Sequence, residues 1–302
     1  MEQLNGKTAF VTGGAGGLGL AMAQAFVRQG MKVMIADIDR LAVDRAVEEM
    51  AAGGAEVAGT TCDVADRASV EAAARKTIAA FGKVHVVCNN AGVGVVGPVG
   101  TIAARDWDWI LDVNLKGVIH GVEVFLPLIE SHGEGGHFVN TGSMSSLVVR
   151  PGREPYAATK FAILALSEGW AMQLAPRNIG VSVLCPGYVQ SGIGESGRAR
   201  QARYGGPSAA PQVEQAGAKS QQEALMGDAM PAEPVGERVV EAIKSGELYI
   251  ITHPEMKPVV AARFARILRA FDRAAASPAL SDLPKVDMPA QDHDLARLFD
   301  AN

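Results

Sequence analysis

Short runs of apolar, largely β-branched residues alternate with longer stretches of helical period over the first 190 residues of the 302-residue chain. The pattern predicts strands at 8–12, 32–36, 56–62, 84–89, 137–141 and 180–185, and helices beginning near Gly17, Arg40, Asp66, Arg105 and Pro155. Several strand runs lack a polar face, which is typical of strands covered by helices on both sides. The repeated strand–helix–strand order therefore predicts an α/β fold with a doubly wound parallel sheet in three α/β/α layers.

The pattern changes after residue 190, where Gly, Ala, Gln and Ser dominate the stretch 190–234. A stretch of this length without periodicity predicts a substrate loop or lid inserted into the domain. Regular structure is then predicted as a helix over 235–245, a strand over 248–252 and an amphipathic helix over 255–273. Prolines among polar residues predict a poorly ordered tail over 277–302, which leaves a single domain over 1–276.

Composition narrows the class of protein. With 28 Lys and Arg against 33 Asp and Glu the net charge is −5, which argues against binding nucleic acid. No apolar run is long enough to span a membrane, and the N-terminus does not have the pattern of a signal peptide. Cys62, Cys88 and Cys185 are far apart and are expected to be buried thiols, and the histidines show no metal-ligand spacing. We expect a cytoplasmic enzyme that uses no metal and acts on a small molecule.

A glycine-rich loop follows the first predicted strand and opens the first helix. Glycines stand at positions 13, 14, 16, 17 and 19. They allow a tight turn and a close approach of the backbone to a pyrophosphate at the helix N-terminus, so the loop predicts a Rossmann-type dinucleotide site. The glycines satisfy GxGxxG, TGxxxGxG and TGxxGxxG together and do not choose among these patterns.

Asp37 ends the second predicted strand, where a carboxylate accepts hydrogen bonds from the ribose hydroxyls of the adenosine. A 2′-phosphate at that position would meet this carboxylate, and the glycine loop contains no Lys or Arg. The sequence therefore favours NAD over NADP. Arg40 is the residue that could still bind a phosphate, although a surface position in the next helix is the preferred interpretation.

Tyr156 and Lys160 are spaced four residues apart at the start of a predicted helix, so both side chains lie on one face. A free phenol has a pKa near 10, which is too high for a base at neutral pH. A close ammonium group stabilises the phenolate and lowers this pKa. The pair predicts general acid–base catalysis by Tyr156.

Together these motifs resemble the short-chain dehydrogenase/reductase family over the first 190 residues, and more weakly to about residue 252. The matching motifs are the glycine loop, Asp63-Val64, Asn89-Asn90-Ala91-Gly92, Asn114, Ser143, Tyr156 with Lys160, and Pro186-Gly187. The Asn89–Gly92 motif resembles that of the shorter dehydrogenase branch rather than the extended epimerase and dehydratase branch. The resemblance also implies a homodimer or homotetramer formed through two long helices, 105–131 and 155–174.

The resemblance implies a role for each matching residue. Tyr156 would be the acid or base, Ser143 would bind the substrate oxygen, Lys160 would hold the nicotinamide ribose, and Asn114 would bind a water in a proton relay. The residues expected to bind the cofactor are Gly13, Gly17, Leu18, Gly19, Asp37, Asp63, Val64, Asn90, Ala91, Gly92, Tyr156, Lys160, Pro186, Val189 and Ser191. Ser143, Tyr156 and Tyr188 are expected to contact the substrate.

The substrate pocket is expected to be lined by residues 93–96 and 147–153, Tyr188 and the loop after Gln190. Its apolar residues predict a hydrophobic secondary alcohol or ketone. Arginines at 150, 153, 198, 200 and 203 could bind a carboxylate or phenolate, although most are expected on the surface. The segments 106–110 and 191–198 resemble dehydrogenases that act on the benzylic alcohol of lignin-derived aryl ethers, which suggests an aromatic substrate. An NADP-linked ketone reductase and a non-catalytic dinucleotide-binding regulator remain the alternatives.

Overall fold

The computed structural model describes residues 1–207 and 229–281. The chain divides into two compact units, Met1–His253 and Pro254–Asn302. Residues 208–228 of the predicted insertion over 190–234, and residues 282–302 of the predicted tail over 277–302, lie outside the described residues. The single domain over 1–276, its insertion and its tail therefore stay predictions.

A parallel sheet of seven strands forms the centre of the first unit, in the order β3-β2-β1-β4-β5-β6-β7. The strands are β1 Thr8–Thr12, β2 Lys32–Asp37, β3 Val57–Thr61, β4 Val86–Asn89, β5 Gly136–Thr141, β6 Ile179–Cys185 and β7 Tyr249–Ile251. Strand order reverses between β1 and β4, so the carboxyl ends of these two strands border a crevice. The predicted doubly wound α/β fold is confirmed.

Helices cover both faces of the sheet. They are α1 Gly17–Arg28, α2 Arg40–Ala52, α3 Arg67–Phe81, α4 Ala104–Ile110, α5 Gly117–His132, α6 Glu154–Leu174 and α7 Glu233–Ser245. Asp39 and Asp66 cap α2 and α3 by accepting hydrogen bonds from the backbone N–H groups of Ala42 and Ala68. Short 3-10 turns occupy Met144–Ser146, Gly192–Ala199 and Ala202–Tyr204.

Two hydrophobic cores lie on the opposite faces of the sheet. On one face α7 packs closely against α1. Gly236 allows this approach, because a Cβ at its position would lie 2.4 Å from the carbonyl oxygen of Ala21. On the other face Phe10 of β1 contacts Phe125 of α5, with ring centroids 4.4 Å apart. Burial on both faces explains why the strand sequences are apolar throughout.

The long helix predicted over 105–131 is interrupted. A π-helical turn, Leu111–Lys116, separates α4 from α5 and contains the buried Asn114. The Asn114 side chain accepts a hydrogen bond from Val93 N at 2.8 Å and donates one to Val93 O at 2.9 Å. Such turns insert a residue into a helix and often occur at functional sites, and apolar periodicity carries no signal for them.

The second unit consists, in its described part, mainly of the helix α8, Lys257–Ala275. This helix matches the one predicted over 255–273. Its apolar stripe is exposed at Val259, Phe264, Ile267, Leu268 and Phe271. Among the described helices, none combines the length and the apolar character that crossing a bilayer requires.

All three cysteines are buried and free, as predicted. Burial raises the pKa of the Cys62 and Cys185 thiols to about 12. The thiols therefore stay protonated and pack as small apolar groups.

His137 makes the stability of the fold sensitive to acid. Its ring is buried in β5 beside Ser182, 2.8 Å from that hydroxyl, and burial lowers its pKa from an ordinary 6.5 to about 3. Because the unfolded chain binds this proton and the folded chain does not, stability is greatest above pH 6.5 and falls as the pH drops toward 3. Between about pH 7.5 and about pH 5 we expect this group to remove about 2 kcal/mol of unfolding free energy.

Urea unfolding of the wild type and of His137→Gln at both pH values measures this contribution. The variant starts from a lower stability because the Ser182 hydrogen bond changes, so only the difference between the two pH values is compared. The variant should lose about 2 kcal/mol less than the wild type between them. An equal loss in both proteins would contradict the assignment.

Candidate active site

The glycine loop adopts the geometry of a phosphate cradle at the N-terminus of α1. Gly13 and Gly17 have positive φ angles of 61° and 50°. A Cβ at Gly19 would lie 2.0 Å from the carbonyl oxygen of Gly13, so no other residue fits there. Within the described residues no side chain caps this helix and its first turn has no acidic residue, so its N–H groups stay available to an anion. The chain thus fits a dinucleotide at this position.

Hydrogen bonds connect the carboxyl ends of β1 and β4 beside this loop. The hydroxyl of Thr12 accepts hydrogen bonds from the backbone N–H of Asn90 at 2.8 Å and of Ala91 at 3.1 Å. The Asn90 amide in turn donates to the carbonyl oxygen of Thr12 at 3.0 Å. Predicted cofactor residues from two distant motifs are therefore adjacent, at the point where the strand order reverses.

The Asp37 carboxylate lies over the start of the glycine loop. It accepts hydrogen bonds from Ala15 N at 3.3 Å and from Asp39 N at 3.2 Å. Arg40 is turned to its helix neighbour Asp44, with 2.8 Å between Nε and Oδ1. The arginine therefore occupies the helix-surface position that the sequence favoured, and Asp37 is the charged group facing the loop.

Tyr156, Lys160 and Ser143 come together at the carboxyl ends of β5 and β6. Lys160 is buried, donates to the carbonyl oxygen of Thr141 at 2.7 Å, and places Nζ 5.4 Å from the centre of the Tyr156 ring. The Ser143 hydroxyl lies beside the Tyr156 phenol and acts to lower its pKa. The structure thus brings together the hydroxyl, phenol and ammonium groups that the sequence assigned to the chemistry.

The pKa values of this cluster are governed by burial. Burial raises the pKa of the Tyr156 phenol, while the Ser143 hydrogen bond and the Arg153 charge act to lower it. Burial also lowers the pKa of Lys160 to about 8. The sequence placed Arg153 in the predicted pocket wall without assigning it an effect on Tyr156, although its position three residues before Tyr156 placed it on the same helical turn. The predicted effect of Lys160 on the tyrosine stays a prediction.

The serines of the Gly142–Ser146 turn have distinct surroundings. The Ser146 hydroxyl is buried and donates to the carbonyl oxygen of Lys160 at 2.8 Å, so it holds α6 in place. The Ser143 hydroxyl accepts from Ser145 N at 3.0 Å and lies against Tyr156. This difference favours Ser143 as the residue that contacts substrate.

Asn114 lies beside Lys160. A Cβ at Gly92 would be 3.5 Å from Asn114 Oδ1 and 3.8 Å from Lys160 Nζ, so both side chains border the space in front of this glycine. The Asn114 side chain hydrogen-bonds both the backbone N–H and the carbonyl oxygen of Val93. Its water relay remains a prediction, and its observed contacts position the turn after β4.

The segment after β6 closes the cofactor side of the crevice. Pro186 accepts a hydrogen bond from Met144 N at 2.9 Å, and Val189 is buried and pairs with Met230. A Cβ at Gly17 would be 3.2 Å from the Ser191 Cβ, which places Ser191 against the glycine loop. The predicted residues of this segment therefore lie next to the loop from the opposite end of the sequence.

Asp63 has partners that the sequence did not indicate. Its carboxylate accepts from Gln201 Nε2 at 2.9 Å and pairs with Arg203 at 2.8 Å, while Val64 beside it is buried against Gly117. Both partners come from a stretch without periodicity, which carried no signal for this contact. The predicted cofactor contact of Asp63 would form at a carboxylate already held by these two side chains.

Arg200 differs from the other arginines of the loop. Arg198 and Arg203 are exposed as expected, whereas Arg200 is buried and pairs with Asp106. Its guanidinium lies 4.9 Å from the centre of the Trp109 ring. Trp109 is fully buried and acts as a packing residue of α4.

A histidine and glutamate cluster on the amino side of the sheet has its ligand atoms occupied. His85 accepts from Thr8 N at 3.1 Å and lies 3.0 Å from Glu134, and His132 contacts the carbonyl oxygen of Val84 at 2.9 Å. Two lysine ammonium groups also pair with Glu134. This arrangement favours a hydrogen-bonded network over a metal site, since a cation would face both ammonium groups.

Comparison with known proteins agrees with this geometry. The family model for short chain dehydrogenases matches residues 7–202. A CLA biosynthesis dehydrogenase/reductase of Lactiplantibacillus plantarum is 32% identical over 89% of this chain and 95% of its own length. A C alpha-dehydrogenase of Sphingobium sp. (strain NBRC 103272 / SYK-6) is 33% identical over 89% of this chain and 87% of its own.

Solved structures show the same likeness. A short chain dehydrogenase/reductase from Burkholderia phymatum in complex with NAD is 36% identical, covers 89% of this chain and 97% of its own, and superposes with a TM-score of 0.85. Together with the family match, this shows that the chain belongs to the short-chain dehydrogenase family of oxidoreductases, which act on alcohol and ketone substrates and bind a nicotinamide dinucleotide.

Proposed function

We propose that the protein is an NAD-dependent dehydrogenase that interconverts a hydrophobic, aromatic secondary alcohol and its ketone. The observation that carries the proposal is the cluster of the buried Ser143 and Lys160 with the half-buried Tyr156, beside the glycine cradle. A structural role does not require a phenol and an ammonium group to be buried together, because burial of each costs free energy.

The residues of the chain would divide the chemistry as follows. The Ser143 hydroxyl orients the substrate oxygen, and the Tyr156 phenol exchanges a proton with that oxygen. Lys160 supplies positive charge behind the phenol, which stabilises the phenolate during alcohol oxidation. The NAD that the glycine loop and Asp37 would hold would supply the acceptor for the hydride of the carbinol carbon. Oxidation thus removes a hydride and a proton, and ketone reduction returns both.

The preference for NAD rests on the surroundings of the adenosine ribose. Asp37 faces the glycine loop with its carboxylate, and Arg40 is paired with Asp44. A 2′-phosphate would meet the negative charge of Asp37. Among the described residues of the glycine loop and of the first turn of α2, no unpaired cation would offset this repulsion. The solved relative from Burkholderia phymatum, in complex with NAD, gives independent support.

The substrate class rests on the walls of the pocket. Val93 and Val95 are buried, while Leu147 and Val148 are half-buried and Val149 is exposed. These side chains favour an apolar substrate. Similarity to a C alpha-dehydrogenase agrees with an aromatic secondary alcohol.

NADH formation from NAD tests the proposal with a panel of aliphatic and aryl secondary alcohols, and NADP serves as the comparison cofactor. We expect turnover of aryl alcohols with NAD and much slower turnover with NADP. Turnover of aliphatic members alone would overturn the aromatic substrate. Tight NAD binding without turnover of any member would favour a dinucleotide-binding regulator, and faster turnover with NADP would favour the NADP-linked reductase.

A further inference from the structure

Arg153 is a cation placed beside the active-site phenol. It directly precedes α6, and its side chain is half-buried. Arg153 is the N-cap residue of α6, three residues before Tyr156, so the two side chains stand on the same turn, and the Arg153 charge acts on the Tyr156 phenol. None of the roles derived above for proton transfer or cofactor binding uses this side chain.

The guanidinium of Arg153 has no protein counter-charge in the part of the chain that the structure describes. Within residues 1–207 and 229–281 its side chain makes no ion pair and no hydrogen bond. The neighbouring Glu154 is exposed, and its carboxylate accepts a hydrogen bond from Gly152 N at 3.1 Å. A half-buried arginine is normally paired, because desolvation of an isolated charge is costly.

A second arginine lies on the same turn. Arg153 N donates to the carbonyl oxygen of Arg150 at 3.2 Å, and the Arg150 guanidinium hydrogen-bonds the Tyr188 hydroxyl. Gly97 N donates to Gly152 O at 2.9 Å, which fixes this turn against the one after β4. Two guanidinium groups therefore stand on a rigid turn that is attached to the predicted walls of the pocket.

We propose that Arg153, with Arg150 beside it, forms an anion-binding subsite at the mouth of the active site, and that the substrate is a secondary alcohol or ketone that carries a carboxylate. This inference rests on the proposed function, because it names a further part of the substrate of that same site. The planar guanidinium binds a carboxylate through two parallel hydrogen bonds. The half-buried Leu147 and Val148 on the same segment favour an apolar body between the carboxylate and the carbinol.

Binding to a dead-end complex tests the subsite without any turnover. The protein is saturated with NAD and titrated calorimetrically with para-acetylbenzoate and, separately, with its neutral methyl ester. Since both the cofactor and the ketone are in the oxidised state, no hydride moves. We expect the wild type to bind the acid at least about tenfold more tightly than the ester.

Variants locate the contact. Arg153→Met should weaken binding of the acid about 10- to 100-fold and leave binding of the ester unchanged, whereas Arg153→Lys should retain part of the preference. Arg45→Met, which removes an exposed arginine from α2, is the matched control and should change neither affinity. NAD affinity is measured in each protein, because an altered fold would lower it as well.

Equal affinity of the wild type for acid and ester, or no binding of the acid, would overturn the subsite. Equal weakening of the acid and the ester by Arg153→Met would overturn it too. If neutral aryl alcohols still produce NADH, each of these results overturns the subsite and leaves the proposed function intact. Failure of the subsite is therefore distinguishable from failure of the proposed function.

Discussion

Replacement of Tyr156 by phenylalanine is expected to lower kcat for alcohol oxidation about 10²- to 10⁴-fold. The substitution removes only the hydroxyl that we propose exchanges a proton with the substrate, while the ring keeps its packing. Because only the hydroxyl beside Ser143 is lost, we expect the fold to be retained. Steady-state rates at saturating NAD, together with the dissociation constant of NAD, separate chemistry from binding.

Tyr249→Phe is the matched control for this substitution. Its phenol lies on β7 and donates to Glu168 at 2.8 Å, away from the predicted catalytic residues. We expect its kcat to stay within about twofold of wild type, since a surface hydrogen bond contributes little. A Tyr156→Phe enzyme that retains wild-type kcat would show that another group transfers the proton.

Replacement of Asp37 by serine is expected to change cofactor preference by about two orders of magnitude. In the proposed binding mode the carboxylate would accept hydrogen bonds from the ribose hydroxyls and repel a 2′-phosphate. Loss of charge-assisted hydrogen bonds weakens NAD binding by about 10- to 100-fold, and the loss of repulsion improves NADP binding. Dissociation constants of both cofactors, measured by fluorescence titration at low salt, give the ratio directly.

Asp39→Ser tests whether this effect belongs to Asp37. Asp39 has the same charge two residues away, but it caps α2 by accepting from Ala42 N at 3.1 Å. Its replacement by another capping residue should leave both stability and cofactor preference nearly unchanged. If the two variants shift the ratio equally, the general charge of the region and not the Asp37 carboxylate decides the preference.

Much of the fold and of the catalytic cluster was predictable from the sequence, because the signals are local. Strand positions follow from uninterrupted apolar runs, and β1 Thr8–Thr12 was predicted with its observed bounds. Gly13, Gly17 and Gly19 are required by the backbone of a single turn, where a Cβ would collide or φ is positive. Tyr156 and Lys160 are neighbours on one helix, so their spacing alone places them together.

The remaining features depend on contacts between distant segments. Gln201 and Arg203 reach Asp63 across 138 and 140 residues of sequence, and no periodicity in their own segment marks them. Arg200 became buried only through its contacts with Asp106 and Trp109 on α4. Such pairings depend on the tertiary fold, which overrides the general tendency of arginine to stay exposed.

Transfer of deuterium tests the central claim most directly. An aryl secondary alcohol that carries deuterium at the carbinol carbon is incubated with the protein and NAD, and the reduced cofactor is examined by NMR. The account predicts deuterium on the nicotinamide ring, one for each ketone formed, in the wild type, and almost none with Tyr156→Phe in the same time. Reduced cofactor without deuterium, or NAD that remains bound and unreduced with every alcohol of the panel, would contradict it.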